Sequence, residues 1–502
     1  MKRHINYYLL ILVWVFTACE DKLEQAPLSS LGSNGFYNNP SDFQKALNGV
    51  YNQLRQYPIN HFELSEVRSD NLYSPGIGGV RDYNLINNFN RNLSTTSLIS
   101  STWNGYYNGI MRANTVLDKL NVGAIPDENE RLQIEAQAKF LRAMFYFDLV
   151  RFFGGVPLFD RAVTPLEALE IPRSSVEEVY NLIIGDLQFA ISHLPPTYST
   201  QNDVGKANSY AAKAILARVY LTRSGPQLHP QGPTLGSGEW QEALDLLNDI
   251  IGSGQYFLID KYSSVFSYEN EDNAEIIFDV QFASGGLGVG GEYVQYHYPE
   301  VYARAYGIPF AGGTFPDAPK TVSTDLMNSF EAEDQRDDFS VQVGFLDQNG
   351  NPSDDRFIKK YLDLNHLGID RFDFELNFPV VRYSDILLMK AEALYQINGA
   401  SPEIDLIVNE IRSRAGITEP INSADYQIIM EERRKEFIGE GLRWHDLVRS
   451  GMALETMAEW KIKDDQANKI SADIAANDLI YPIPQNQLDI KQGLYDQNQG
   501  YE

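Results

Sequence analysis

Several patterns in this chain have the residue types and spacing that chemistry requires. Gly286, Gly288 and Gly291 reproduce the GxGxxG spacing with which a dinucleotide site brings its backbone against pyrophosphate. Such a site also needs a helix opening at the last glycine, so that N-terminal N–H groups face the phosphates. Glu292 to Tyr298 and then Pro299 come next instead, so a flexible surface loop is expected. Asp347, Asn349 and Asn351 begin like a calcium loop. Pro352 stands where the sharp-turn glycine belongs and Ile358 where the bidentate glutamate belongs, which leaves a turn. His61, His193, His229, His297, His366 and His445 lack the i, i+4 spacing of a zinc helix, and no GxSxG elbow occurs. No metal or cofactor is expected.

Glycoside hydrolysis needs only two carboxylates at the right separation, but among 68 acidic residues no pair stands out. The dense cluster Glu431, Glu432, Arg433, Arg434, Glu436, Glu440, Arg443 and Asp446 reads as ion pairs fixing one helix against another. The tyrosines carry a different chemistry. Tyr293, Tyr296, Tyr298, Tyr302 and Tyr306 crowd a glycine-flanked stretch, and Asp70, Tyr73, Arg81 and Tyr83 lie in an early loop ahead of Trp103. A flat ring with a polar tip offers a sugar both apolar CH contact and a hydrogen bond. Tyr296 and Tyr298, with Asp70, Arg81 and Trp103, are therefore the candidate ligand-binding residues, while most of the other rings are expected to cover the scaffold.

Elements long enough to position such rings are available. Phe43, Leu47, Val50 and Leu54 mark one helix face behind Ser41 and Asp42. Paired stripes come after it: Phe140 to Val150 with Val176 to Leu194, Tyr210 to Leu221 with Ala243 to Ile250, and Leu387 to Leu394 with Ile404 to Ile411. Alanines at helical spacing let such pairs stack in series, as tetratricopeptide repeats do. Between about 269 and 380 the pattern changes to short strands and long loops, with a hairpin signal at Asn349 and Gly350. The expected fold is mainly α: a helical-repeat scaffold of about four pairs with one irregular excursion from a single body spanning 36–502.

Against 41 Lys plus Arg, the 68 acids leave a formal net charge of −27, which repels nucleic acid. Cys19 is the only cysteine, so no intramolecular disulfide forms. Lys2 and Arg3, the apolar run Ile5 to Phe16, and the small Thr17 and Ala18 before Cys19 read as a secretory signal over 1–18. The run of about 12 residues falls short of the roughly 20 that cross a bilayer. Ending in cysteine, it resembles a bacterial lipobox, with Phe16 departing from the usual Leu or Val. Cys19 would then be acylated, with a Ser/Gly-containing tether over 19–35 and with Glu20 and Asp21 resembling surface-export signals.

Ordered motifs then carry a family resemblance. Trp103, Tyr107, Ile110 and Asn114 resemble the WxxxYxxIxxxN helix of SusD/RagB proteins, and FLRAMFYFDLVRFFGGVP over 140–157 resembles that family's most recognisable segment. AILARVYL (214–221), SFEAEDQR (329–336), RYSDILLMKAEA (382–393), EERRKEFIGEGLRWHDLVR (431–449), YPIP (481–484) and QNQGY (497–501) come after it in family order. Gln499 replaces a usual proline. The resemblance implies four tetratricopeptide-like units and a lid over a SusC-like TonB-dependent transporter, usually for glycan import; since no catalytic constellation stands out, no catalysis is expected. It also implies that the motifs hold the scaffold while variable loops contact ligand, so no binding residue is carried over. Other readings are a surface glycosidase on a helical scaffold, or a transporter-lid subunit for peptide or glycopeptide ligands.

Overall fold

The computed structural model describes residues 36–76, 81–198, 200, 203–310 and 320–502. Cys19 and the segments read as signal and tether lie outside the described residues.

Polar caps start most of the long helices. In α1 (Pro40–Tyr51), Asn39 accepts from the Asp42 N–H at 3.2 Å and buries Phe43, Leu47 and Val50 behind it. Thr96 caps α4 (Ser97–Lys119), after the short α2 (Tyr57–His61) and α3 (Asp82–Asn87). Asp127 caps α5 (Glu128–Phe153), which Gly154 ends at φ 74. Ser175 and Glu178 form a reciprocal capping box for α6 (Val176–His193), and Asn208 caps α7 (Ser209–Ser224). Then come α8 (Trp240–Gly252), α9 (Glu300–Tyr306), α10 (Tyr383–Asn398), α11 (Pro402–Arg414), α12 (Tyr426–Glu436), α13 (Arg443–Ser450) and α14 (Ala453–Asp464).

From α4 through α8 each helix packs on the next, and α8 then packs on α10 and α10 on α11, as in a helical-repeat array. From Phe140 onward α5 is buried on every side, because α4 and α6 sandwich it and α7 touches its flank. The strand-and-loop stretch leaves and rejoins this body at one place. β2 (Ile276–Val280) pairs antiparallel with β6 (Phe378–Arg382), just before α10. Between them β4 (Val341–Leu346) and β5 (Pro352–Ile358) form the hairpin expected at Asn349 and Gly350. Asp347 is its turn residue: its carboxylate accepts the Asn349 and Asn351 N–H groups, both at 2.8 Å. β1 (Leu72–Tyr73) pairs with β3 (Thr321–Val322), tying the early loop to the excursion.

The charge cluster lies inside. Glu436, fully buried, meets Arg336, Arg382 and Arg414, while Arg382 also reaches Glu275 and Glu440. Arg433 joins Asp385 to Asp446 at 2.8 and 3.0 Å. The pairs thus run mainly between elements far apart in sequence rather than along one helix, with Arg449–Asp446 and Arg434–Glu431 as local exceptions. Removing one member of such a buried pair costs about 3–5 kcal/mol, because the other is left charged without its partner.

The chain's recognisable motifs converge on joints of this body. Asn114 donates to the Phe159 and Arg161 carbonyls at 2.8 and 2.9 Å, binding α4 to the segment after α5. Asn498, in the closing QNQGY, donates to Phe153 O at 2.9 Å and Tyr481 O at 2.6 Å and accepts from Arg173 at 2.6 Å.

Candidate functional site

The candidate residues separate into two environments. Asp70 is fully buried. Its two carboxylate oxygens receive the fork of Arg443, at 2.8 Å each, and Arg434 lies 2.9 Å away. Burial alone would raise this carboxyl, but the two guanidinium groups pull it down to about 2. Trp103 is buried between Tyr107 and Phe153, at ring separations of 5.0 and 5.2 Å. Both side chains support the scaffold and present no face to a ligand. The expectation drawn from residue type, and for Asp70 from its loop position, is corrected by what they touch.

The tyrosine-rich stretch divides in the same way. Tyr293 donates to Leu376 O and Tyr298 to Pro309 O, each at 2.9 Å and each from a buried ring. Tyr302 packs against Phe345 and Phe357. Tyr296, at the end of the turn Glu292–Tyr296, is only half-buried, and its hydroxyl lies 3.4 Å from Glu292 Oε1.

Lys320 gathers the rings around Tyr296. Its ammonium donates to Glu63 Oε1 at 2.5 Å and to Tyr296 O at 2.9 Å. It lies 4.5 Å from the Tyr83 ring centroid, 5.1 Å from Phe62 and 5.2 Å from Tyr296. One cation thereby holds together a π-helical turn (Phe62–Glu66), the helix α3 that carries Tyr83, and the turn that carries Tyr296. Arg81, exposed, immediately precedes α3. Beneath the face the His297 ring lies tilted against Phe62, centroids 4.0 Å apart, and burial together with the Lys320 charge pushes its imidazole down to about 3. Sequence reasoning missed Lys320, because a lone lysine carries no spacing signal, and Phe62 and Glu63, which read as ordinary positions of a helix.

The glycine stretch is no dinucleotide loop and is also less free than expected. The Asp373 carboxylate accepts the Gly285 and Gly286 N–H groups at 3.0 Å each, and Arg55 donates to Gly288 O and Gly290 O at 2.9 and 2.8 Å. Gly291 leads into a single 3-10 turn.

Among the described residues, no three or more His, Cys, Asp or Glu side chains are placed to hold a metal ion, and no helix is long and apolar enough to cross a membrane. Tyrosine rings stand in a fixed arrangement around an ion pair, on a helical-repeat body: the form of a binding protein. Residues 21–221 match a family model described as starch-binding associating with outer membrane, and residues 346–501 match the model of the SusD family. The chain belongs to the SusD/RagB family. SusD-like protein P25 of Formosa agariphila is 27% identical to it over 550 residues, covering 98% of this chain and 99% of that one. Surface glycan-binding protein A from Bacteroides fluxus superposes with a TM-score of 0.77 at 25% identity, covering 92% and 99% of the two chains. A laminarin-binding SusD-like protein does so with a TM-score of 0.73 at 25% identity, covering 93% and 100%.

Proposed function

We propose that this protein is a non-catalytic lipoprotein of the outer membrane. It captures oligosaccharides on the Tyr83–Tyr296 face and delivers them to a SusC-like TonB-dependent transporter. The observation that carries the binding role is the half-buried pair of tyrosines set around Lys320: rings held in place lose little freedom when a sugar stacks on them. Glycan-binding proteins among its structural relatives support the ligand class. Acylation of Cys19 would anchor the chain facing outward, and the 19–35 tether would leave the body free to approach the transporter. The acids most suggestive of an active site, Glu432, Glu436, Glu440 and Asp446, are buried in ion pairs, which supports a role in recognition without catalysis.

Affinity electrophoresis through gels cast with different polysaccharides, with reducing ends assayed in parallel, tests the reading. Retardation by one polymer without release of reducing ends is expected. Tyr296→Ala should weaken it about 5- to 30-fold, the loss of roughly 1–2 kcal/mol that an aromatic contact supplies. Steady release of reducing ends would make the protein a glycosidase. Absence of retardation by any glycan, with a transporter still co-isolating, would make it a lid for another ligand class.

A further inference from the structure

Beside Tyr296 lies a second surface that the binding role above does not yet use. The stretch 364–373 packs on the glycine loop 284–291, and Asp373 and Gly291 fasten the two together: Asp373 as described, and Gly291 by donating its N–H to Phe374 O at 2.6 Å. Gly290 has no room for a side chain, since a Cβ there would fall 2.4 Å from Phe372 O. The tip of this double loop is consequently held in shape, and it exposes Phe372, at 42%, with Arg371 lying over its ring at 4.2 Å. Phe374 is bonded to Gly291, the residue that opens the turn carrying Tyr296, so the tip and the tyrosine face share one support. Burial raises both the Glu292 carboxyl and the Tyr296 phenol, and the Arg371 charge counters the rise at both, placing its guanidinium within electrostatic reach of the face.

Arg371 also stands apart by what it lacks. Nearly every other arginine donates to a carboxylate, a carbonyl or a side-chain oxygen. Among the described residues the guanidinium groups of Arg371 and of the exposed Arg81 meet no hydrogen-bond acceptor. In a chain of net charge −27, two arginines without an acceptor at the edges of one face offer cationic forks that the protein's own acids leave open. A guanidinium stacked on an aromatic ring keeps its in-plane N–H fork pointing outward, the arrangement that grips a planar or tetrahedral anion.

Resting on the glycan-binding role, we propose that Arg371 on Phe372 forms a subsite for an anionic sugar unit, one bearing a carboxylate or a sulfate ester, adjoining the tyrosines that stack on its neighbour in the chain. The sugar ring lies against Phe372 and its anionic group takes the guanidinium fork. The field of the whole molecule opposes such a ligand at long range. At physiological ionic strength that field is screened beyond about 8 Å, and contact with Arg371 decides.

The full-length protein in detergent, titrated calorimetrically near 0.15 M salt, separates the cases. The probes are oligogalacturonate against its carboxyl-reduced form, and a sulfated galactan oligosaccharide against its desulfated form. The expected result is that one anionic member binds at least about tenfold tighter than its neutral partner, the factor one charge-assisted hydrogen bond supplies. The pair that shows it tells carboxylate from sulfate. Arg371→Gln should bring that ratio near one, and Arg371→Lys, which keeps the charge but loses the fork, should fall between. Because Arg371 is bonded to nothing that holds the fold, thermal melting should be the same in all three. Equal or tighter binding of the neutral forms, or a preference that survives Arg371→Gln, would overturn the anionic subsite and leave the glycan role standing. Failure of every probe to bind would overturn the anionic subsite and leave the glycan role to the polysaccharide gels.

Discussion

Replacing Asp70 by alanine sets the loop-position reading of this residue against its buried environment. The substitution takes the carboxylate from between Arg443 and Arg434, all three of them buried, while leaving the Tyr83–Tyr296 face untouched. A fall in the Asp70 pKa from 3.8 to about 2 corresponds to roughly 2.5 kcal/mol favouring the ionised form in the fold. Leaving the arginines without this partner places the expected loss at about 3–5 kcal/mol. With an unfolding entropy of about 2.1 cal/mol/K per residue over roughly 470 folded residues, each kcal/mol is worth about 1 °C, so Tm should drop by about 3–5 °C. The sign in pH comes from the depressed pKa. The contribution is complete above about pH 4 and is lost as pH falls through 2, so the gap between wild type and Asp70→Ala should close over that window. Thermal melts monitored by circular dichroism at neutral and acid pH measure it, with glycan retention assayed well below Tm. An unchanged Tm together with lost retention would refute the reasoning and return Asp70 to the ligand.

Three other expectations rest on particular residues. His297, held near 3 by burial and Lys320, stabilises the fold fully above about pH 6.5 and progressively less as pH falls toward 3. By pH 4 this removes about 3 kcal/mol, a slope that denaturant titrations should find missing in His297→Gln. Gly109 on α4 faces the Phe145 ring of α5 so closely that a Cβ would fall 2.5 Å from it, so Gly109→Ala should cost about 1–3 kcal/mol, read as a lower denaturant midpoint with unchanged m-value. Cys19→Ala should release the protein from the membrane fraction or leave it unprocessed, and unchanged partitioning on cell fractionation would rule out the lipid anchor.

Much of the architecture was legible because it rests on local physics. Stripes such as Phe43, Leu47 and Val50, caps such as Ser175 with Glu178, and the turn at Asn349 and Gly350 each depend on residues a few positions apart, so their period and chemistry announce them. The same holds for the reading of residues 431–449 as structural ion pairs, since so dense a mixture of both signs neutralises itself. The identity of the partners was not legible. Arg382, Glu275, Glu436 and Glu440 come from three separate stretches, and no spacing relates them.

The candidate face shows the same division more sharply. Residue type alone marked Tyr296 and its neighbours as rings suited to sugars, but type does not report burial. Within six residues Tyr293 and Tyr298 are buried and Tyr296 stays half-exposed, because Leu376 and Pro309, brought in from later in the chain, take the hydroxyls of the first two rings. Asp70 and Trp103 were equally plausible by type and are interior by packing. Lys320, which gathers Phe62, Glu63, Tyr83 and Tyr296 from distant stretches, acquires its role only when the chain is folded. The sequence by itself determined the helical body, its family and the kinds of side chain available for recognition, since these arise from short-range pattern and ordered motifs. Tertiary structure alone decided which of those side chains meet solvent and which meet one another, since exposure and long-range pairing depend on how distant segments pack.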